Sequence, residues 1–93
     1  MISPELRPRL ASKARLHYDR HADRHMLLYP EKGLALNATA TEIVKLCTGE
    51  RSVREIVAEL DSRYSESPSP NIEREVFAFL EALATRGLLE EAP

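Results

Sequence analysis

The sequence has little of most things that announce a chemistry. It holds one cysteine, Cys47, which excludes an internal disulfide framework and fits a reducing compartment. Its three glycines, Gly33, Gly49 and Gly87, stand singly, so no glycine-rich loop can cradle a phosphate. There is no tryptophan, and three tyrosines and two phenylalanines are the whole aromatic stock. A chain of 93 residues built this way has a thin core. No apolar run approaches the ~20 residues of a membrane span. The opening MISPELRPRLASKAR lacks the apolar stretch of a signal peptide. These absences lead to the expectation of one domain over residues 1–93 in a cytoplasmic protein.

What is present is ordinary globular composition, 43% hydrophobic and 30% charged, with a net charge of −2. The charge is unevenly spread. Residues 1–37 carry seven Lys and Arg against four Asp and Glu, whereas residues 38–93 carry six against eleven. Such asymmetry can steer a partner, and a solvated surface accounts for it as well.

Strand patterns come first along the chain. Residues 1–13, with Pro4 and Pro8 among charges, read as an extended, loose arm. In RLHYD, Leu16 and Tyr18 alternate with His17 and Asp19, a short strand; RHAD (20–23) is a turn, and HMLLY (25–29) a second strand. PEKG (30–33) is the next turn, where Gly33 is free to take positive φ. LALN (34–37) makes a third strand with Leu34 and Leu36 on one face.

Helix signals follow. Thr39 and Glu42 have capping-box spacing, Ile43, Leu46 and Cys47 share a face, and Gly49 reads as the C-cap. A second box, Ser52 with Glu55, opens a helix whose stripe is Val53, Ile56, Val57, Leu60 and Tyr64. SESPSP (65–70) is a loop, and Pro70 or Asn71 starts a third helix that Gly87 ends, with Leu88 and Leu89 tucking back onto the core. The order is β-β-β-α-α-α. The fold expected is α+β and winged-helix-like, a three-stranded N-terminal antiparallel sheet followed by three helices.

Each candidate for chemistry has a plainer reading. His17, His21 and His25 would share one helical face, as metal ligands need, but their local pattern is strand–turn–strand and no carboxylate or cysteine completes a set. Cys47 lies on an apolar stripe without the base that a nucleophilic thiol needs. No acid/base pair or Ser-His-Asp arrangement is visible, and the chain is read as not an enzyme. A winged-helix DNA-binding protein is the alternative from another class. Against it, the third helix begins Asn71-Ile72-Glu73-Arg74-Glu75, which is net acidic, while phosphate contacts supply most nucleic-acid affinity. On that helix the core stripe is Ile72, Val76, Phe79, Leu80 and Leu83. Phe77 falls about 140° from Ile72, with Glu73 and Ala84 beside it. A large aromatic so placed is either covered by the arm or a strand, or forms one wall of an open groove.

The runs LLYPE, LALNATATEIVKLC, TGERSVREIVAEL and VFAFLEALATRGLL, with RPRLA near the start, carry a family resemblance. The sequence resembles coenzyme PQQ synthesis protein D (PqqD) over nearly its whole length. The resemblance implies a winged-helix-like peptide chaperone of pyrroloquinoline quinone biosynthesis. It implies binding of the precursor peptide PqqA and its presentation to PqqE, a radical SAM enzyme that cross-links a Glu and a Tyr in it. The iron–sulfur clusters belong to that enzyme, so no cofactor is expected here. In this fold the leader lies as an added strand against the third strand, beside the third helix. The peptide-binding residues are then expected to be Leu34, Ala35, Leu36, Asn37, Glu73, Phe77, Leu80 and Ala84. An extended peptide pairing at that edge draws affinity from backbone groups and selectivity from the groove. The polar DRHADRHM hairpin and the SESPSP loop depart from the family's pattern. A docking domain of a larger modification enzyme is a third reading, and an exposed edge strand can also pair two copies into a homodimer.

Overall fold

The computed structural model describes residues 2–63 and 71–92. The elements run β1 (Pro8–Leu10), β2 (Arg15–Asp19), β3 (Arg24–Tyr29), β4 (Lys32–Leu36), α1 (Ala38–Leu46), α2 (Val53–Arg63), α3 (Ile72–Thr85) and β5 (Leu89–Glu91). The three central strands form an antiparallel sheet in the order β2-β3-β4. Helices α1, α2 and α3 follow it, as the alternation and capping signals imply.

Turn chemistry sets the register of this sheet. After β2, Asp19 accepts hydrogen bonds at Oδ1 from the backbone N–H groups of His21 and Ala22, and Asp23 takes a positive φ of 52°. Between β3 and β4 only Pro30 and Glu31 intervene, with Tyr29 paired to Lys32. Here the expectation for Gly33 fails. The left-handed residue is Glu31, at φ 66°, while Gly33 lies inside β4 opposite Leu28. Pro30 holds the first turn position at negative φ, so the left-handed residue of this two-residue turn is the second, Glu31.

The helix ends test each capping assignment. The N-cap of α1 is Asn37, whose side chain accepts from the N–H of Ala40 at 2.7 Å, and not Thr39. Helix α1 stops at a Cys47 cap, so Gly49 lies beyond it; its positive φ lets its N–H reach the carbonyl of Pro8. At α2 the box is as the sequence implies: Ser52 N–H donates to Glu55 Oε1 at 2.8 Å, and Glu55 N–H donates to Ser52 Oγ at 3.1 Å. The Ser52 N–H donated to its carboxylate, and after it the Ser52 hydroxyl, hold the Glu55 carboxyl below its ordinary value. Helix α3 ends in a Schellman turn. Gly87 at φ 72° donates to Ala84, and Leu88 donates to Leu83. Tyr64 and the SESPSP segment lie outside the described residues.

The N-terminal arm is not loose. β1 pairs antiparallel with β5, Arg9 opposite Glu90 and Leu10 opposite Leu89. Upstream of it, the carbonyls of Leu6 and Pro4 accept the N–H groups of Val53 and Arg54, both 2.9 Å, at the first turn of α2. Those two donors are orphans of any helix start, and here the arm satisfies them. The extended reading holds for β1, between tight turns at residues 3–6 and 11–14, and the loose one does not hold, because the arm's acceptors match donors distant in sequence.

The core lies between the sheet's inner face and the helices. Leu27 and Leu36 from the strands meet Ile43, Val44 and Leu46 of α1, Val53, Ile56 and Leu60 of α2, and Ile72, Val76, Leu80 and Leu83 of α3, with Leu88 beyond. Leu88 is fully buried and Leu89 half-buried, so the tuck after Gly87 is present. Phe79, expected in the core stripe, is only half-buried at its margin.

Candidate functional site

A free strand edge beside a cleft is the site this fold offers. β4 bonds to β3 and has no partner on its other side among the described residues. The two-residue turn makes Tyr29 and Lys32 the closing hydrogen-bonded pair, and such pairs alternate along an antiparallel ladder. Leu34 and Leu36 therefore face β3 with their backbone groups. Gly33 and Ala35 turn theirs to the open edge. Both are exposed, so a second backbone can approach.

At its end β4 passes through Asn37 into α1, and α3 lies across from that junction. Between them is a cleft of about 280 Å³ lined by Asn37, Thr39, Ala40, Ile43, Glu75, Ala78 and Phe79. Its floor and walls are mostly apolar: Ile43 is 1% exposed, and Phe79 and Ala40 are half-buried. Glu75 and Asn37 are its exposed polar margin. The arrangement can hold an extended backbone at the strand edge and take an apolar side chain into the cleft.

A larger hollow, about 560 Å³, lies past the other side of the β4–α1 junction, beneath the β2–β3 turn. It is charged, and most of its ionic groups already satisfy one another: Arg63 bridges Glu42 and Glu59, and Lys45 pairs with Glu42. That makes it a supporting network rather than a recess awaiting a peptide.

The eight residues expected at the site are not brought together. Leu34, Ala35, Leu36 and Asn37 do lie along the edge and its exit, with Leu36 buried and Asn37 serving as cap. Leu80 is 0% exposed, sealed in the core. Glu73 lies on the far flank of α3, in a separate cleft with Pro4, Arg54, Val57, Ala58 and Asp61. Phe77 is half-buried one turn after Glu73, and Ala84 continues that flank. The flank facing Asn37 and α1 carries Glu75, Ala78 and Phe79, which the sequence reading did not place at the site. The helical wheel shows two flanks beside one core stripe; which of them meets the sheet is a matter of packing.

The histidines are dispersed. His17 lies on the outer face of β2, His21 in the turn, and His25 pairs with Tyr18, ring centroids 5.1 Å apart. Among the described residues no group of three His, Cys, Asp or Glu is placed to hold a metal ion. Cys47 is 4% exposed, and burial pushes its thiol up to about 12, as befits a core residue. No described helix is long and apolar enough to cross a membrane.

Comparison with known proteins fits this geometry. The family model for coenzyme PQQ synthesis protein D (PqqD) matches residues 24–89. The chain belongs to the PqqD family. Similar curated PqqD relatives are named PqqA binding protein. One from Bradyrhizobium diazoefficiens is 38% identical over 91 residues, covering 98% of this chain and 87% of that one. Another, from Rhodopseudomonas palustris, is 41% identical with 98% and 88% covered. Among solved structures, the PqqD truncation of Methylobacterium extorquens PqqCD, a stand-alone recognition element for ribosomally synthesized and modified peptides, superposes with a TM-score of 0.80. It is 32% identical, with 97% of this chain and 95% of that one covered. TbiB1 in complex with the TbiA(beta) leader peptide superposes at 0.71 with 27% identity, covering 88% and 94%. The PqqD fold thus carries its N-terminal sheet and three helices here, with the β1–β5 pair added to the expected order.

Proposed function

We propose that this protein is a non-enzymatic carrier that binds the precursor peptide PqqA as an added strand on β4 and presents it to the radical SAM enzyme PqqE. The observation that carries the reading is the unpaired edge at Gly33 and Ala35 running into the apolar cleft against Phe79. Backbone pairing supplies affinity, and alternate peptide side chains enter the cleft. The names of the curated relatives and the leader peptide held by TbiB1 support the same class of ligand. Leu34, Leu36 and Asn37 hold the edge in place, while Glu75, Ala78 and Phe79 form the wall on α3. Two copies paired at this same edge would compete with the peptide for its backbone groups.

The test compares the two flanks of α3. Labelled PqqA is titrated into the protein and into Phe79→Ala and Phe77→Ala, with duplex DNA in a parallel arm at moderate salt. Phe79→Ala is expected to weaken peptide binding roughly tenfold, about 1.4 kcal/mol, and Phe77→Ala to leave it nearly unchanged. The opposite ranking moves the wall to the Glu73–Phe77–Ala84 flank. Binding of DNA without peptide replaces the reading with the winged-helix DNA-binding one, which the acidic first turn of α3 disfavours. Presentation has its own readout: PqqE should cross-link PqqA faster when this protein is added.

A further inference from the structure

Gly33 stands where the usual reason for a glycine is missing. The left-handed position of its turn falls at Glu31, and Gly33 itself lies in β4 without a positive φ. Glycine inside a strand weakens it, and often marks a place where a ligand or another backbone comes close. What the missing side chain leaves here is room. A Cβ added at Gly33 would lie 3.0 Å from Met26 Cε and 3.4 Å from Leu28 Cδ2. Met26 and Leu28 therefore lean over the glycine, and both are half-buried.

These residues share the face of the sheet turned away from the core. Leu27 packs inward opposite Leu34, so Met26, paired with Ala35, and Leu28, paired with Gly33, point outward. Gly33 and Ala35 are also the residues of β4 with free backbone groups. In an antiparallel addition, the peptide residues hydrogen-bonded to them set their side chains on this same outer face. Adjacent strands lie about 4.8 Å apart, and the tips of Met26 and Leu28 already reach across to Gly33. A long apolar side chain opposite Gly33 thus meets them, and Gly33 puts nothing in its way. This apolar shelf is continuous with the β4 edge, so the strand added there supplies its occupant. The row through Gly33 and Leu28 ends at Arg15. Lys13, Arg15 and Leu28 line a hollow of about 260 Å³ with Tyr29 and Pro30. Those cations suit an occupant followed by a carboxylate and not by a second cation.

Resting on the strand addition proposed above, we propose that Met26 and Leu28, laid over Gly33, form a second subsite that takes an outward apolar side chain of the bound peptide. The peptide is then read on both faces. One apolar residue enters the cleft at the Asn37 end, and another lies on this shelf. Side chains on opposite faces of a strand are an odd number of residues apart; for the levels of Leu36 and Gly33 the separation is three. The ligand class is a leader segment with apolar anchors at odd spacing, where a single groove would select even spacing.

PqqA and its single-alanine variants are titrated by calorimetry into the native protein, Met26→Ala, Gly33→Val and Phe79→Ala. Valine suits a strand, and the Met26 tip is free to swing aside, so Gly33→Val should keep its denaturation midpoint. By filling the shelf it should weaken PqqA binding roughly tenfold, and Met26→Ala roughly fivefold. One PqqA alanine variant should lose no further affinity in Met26→Ala, and a different one none in Phe79→Ala. The two positions should lie an odd number of residues apart. If Gly33→Val fails to fold, the Met26→Ala titrations decide alone. Native affinity in Met26→Ala beside a weakened Phe79→Ala overturns the shelf and leaves the strand addition standing, as do anchors at even spacing only. Native affinity in every variant, or no binding of PqqA by the native protein, overturns the shelf together with the reading beneath it.

Discussion

Cys47 and Glu31 show what a single residue's surroundings can change. Burial raises the Cys47 thiol to about 12 in the folded protein, whereas an unfolded chain ionises its thiol at about 8.5. The neutral thiol's contribution is thus fully present below the unfolded value and is lost as pH rises above it. Stability should fall above about pH 8.5, by at most about 1.4 kcal/mol per pH unit from this group. Urea denaturation should show a shallower alkaline decline in Cys47→Ala, and native Cys47 should resist thiol reagents until the protein unfolds. At Glu31 the backbone sits in the left-handed region at φ 66°. A side chain there costs roughly 1–2 kcal/mol, and glycine relieves it against an entropy loss of roughly 0.5–1 kcal/mol. Glu31→Gly should therefore raise the denaturation midpoint modestly, and an unchanged or lowered midpoint would show that the turn tolerates Glu31 without strain.

At the scale of the element, β4 has two chemically different sides. Alternation assigns the N–H of Ala35 to the open edge and that of Leu36 to the ladder with β3. Proline removes either one and adds ring bulk. Ala35→Pro should stay folded by circular dichroism and lose peptide binding by calorimetry. Leu36→Pro removes an internal bond and a side chain only 6% exposed, and should cost roughly 3 kcal/mol or more. If both variants bind peptide normally, β4 is scaffold and the ligand lies elsewhere. The same element joins the sheet to the first helix. Asn37 ends β4 and caps α1 at once, so edge and cleft are fixed to each other by one residue.

For the whole molecule, the N-terminal arm is the tie between distant parts. Residues 4–11 accept from the start of α2 and donate to Leu88 beside β5, while Arg9 reaches Glu90 across 81 positions at 3.2 Å. That ion pair is about half-exposed and adds little; the backbone bonds and the half-buried Ile2 and Leu6 matter more. Deleting residues 2–7 uncovers two α2 donors and this apolar surface. A loss of roughly 2–4 kcal/mol in chemical denaturation is expected. A variant as stable as the full chain would mean the arm does not dock in solution.

The sequence by itself determined whatever a few neighbouring residues decide together. Ser52 and Glu55 cap each other three positions apart, Gly87 meets a turn that demands positive φ, and Leu16 alternates with His17, so these features were legible in the string. The strand-and-helix order and the core leucines follow from the same short-range periodicity. Only the tertiary structure decided the rest. The strand pairing closed a two-residue turn at Pro30 and Glu31, with the left-handed position at Glu31 and not Gly33, Asn37 took the cap from Thr39, and β1 found β5 at the other end of the chain. It also decided that α3 turns Phe79 and not Phe77 toward Asn37 and α1. A helical wheel ranks faces by apolarity but carries no information on which neighbour each face meets, because that depends on how α1, α2 and the sheet fill the space around α3.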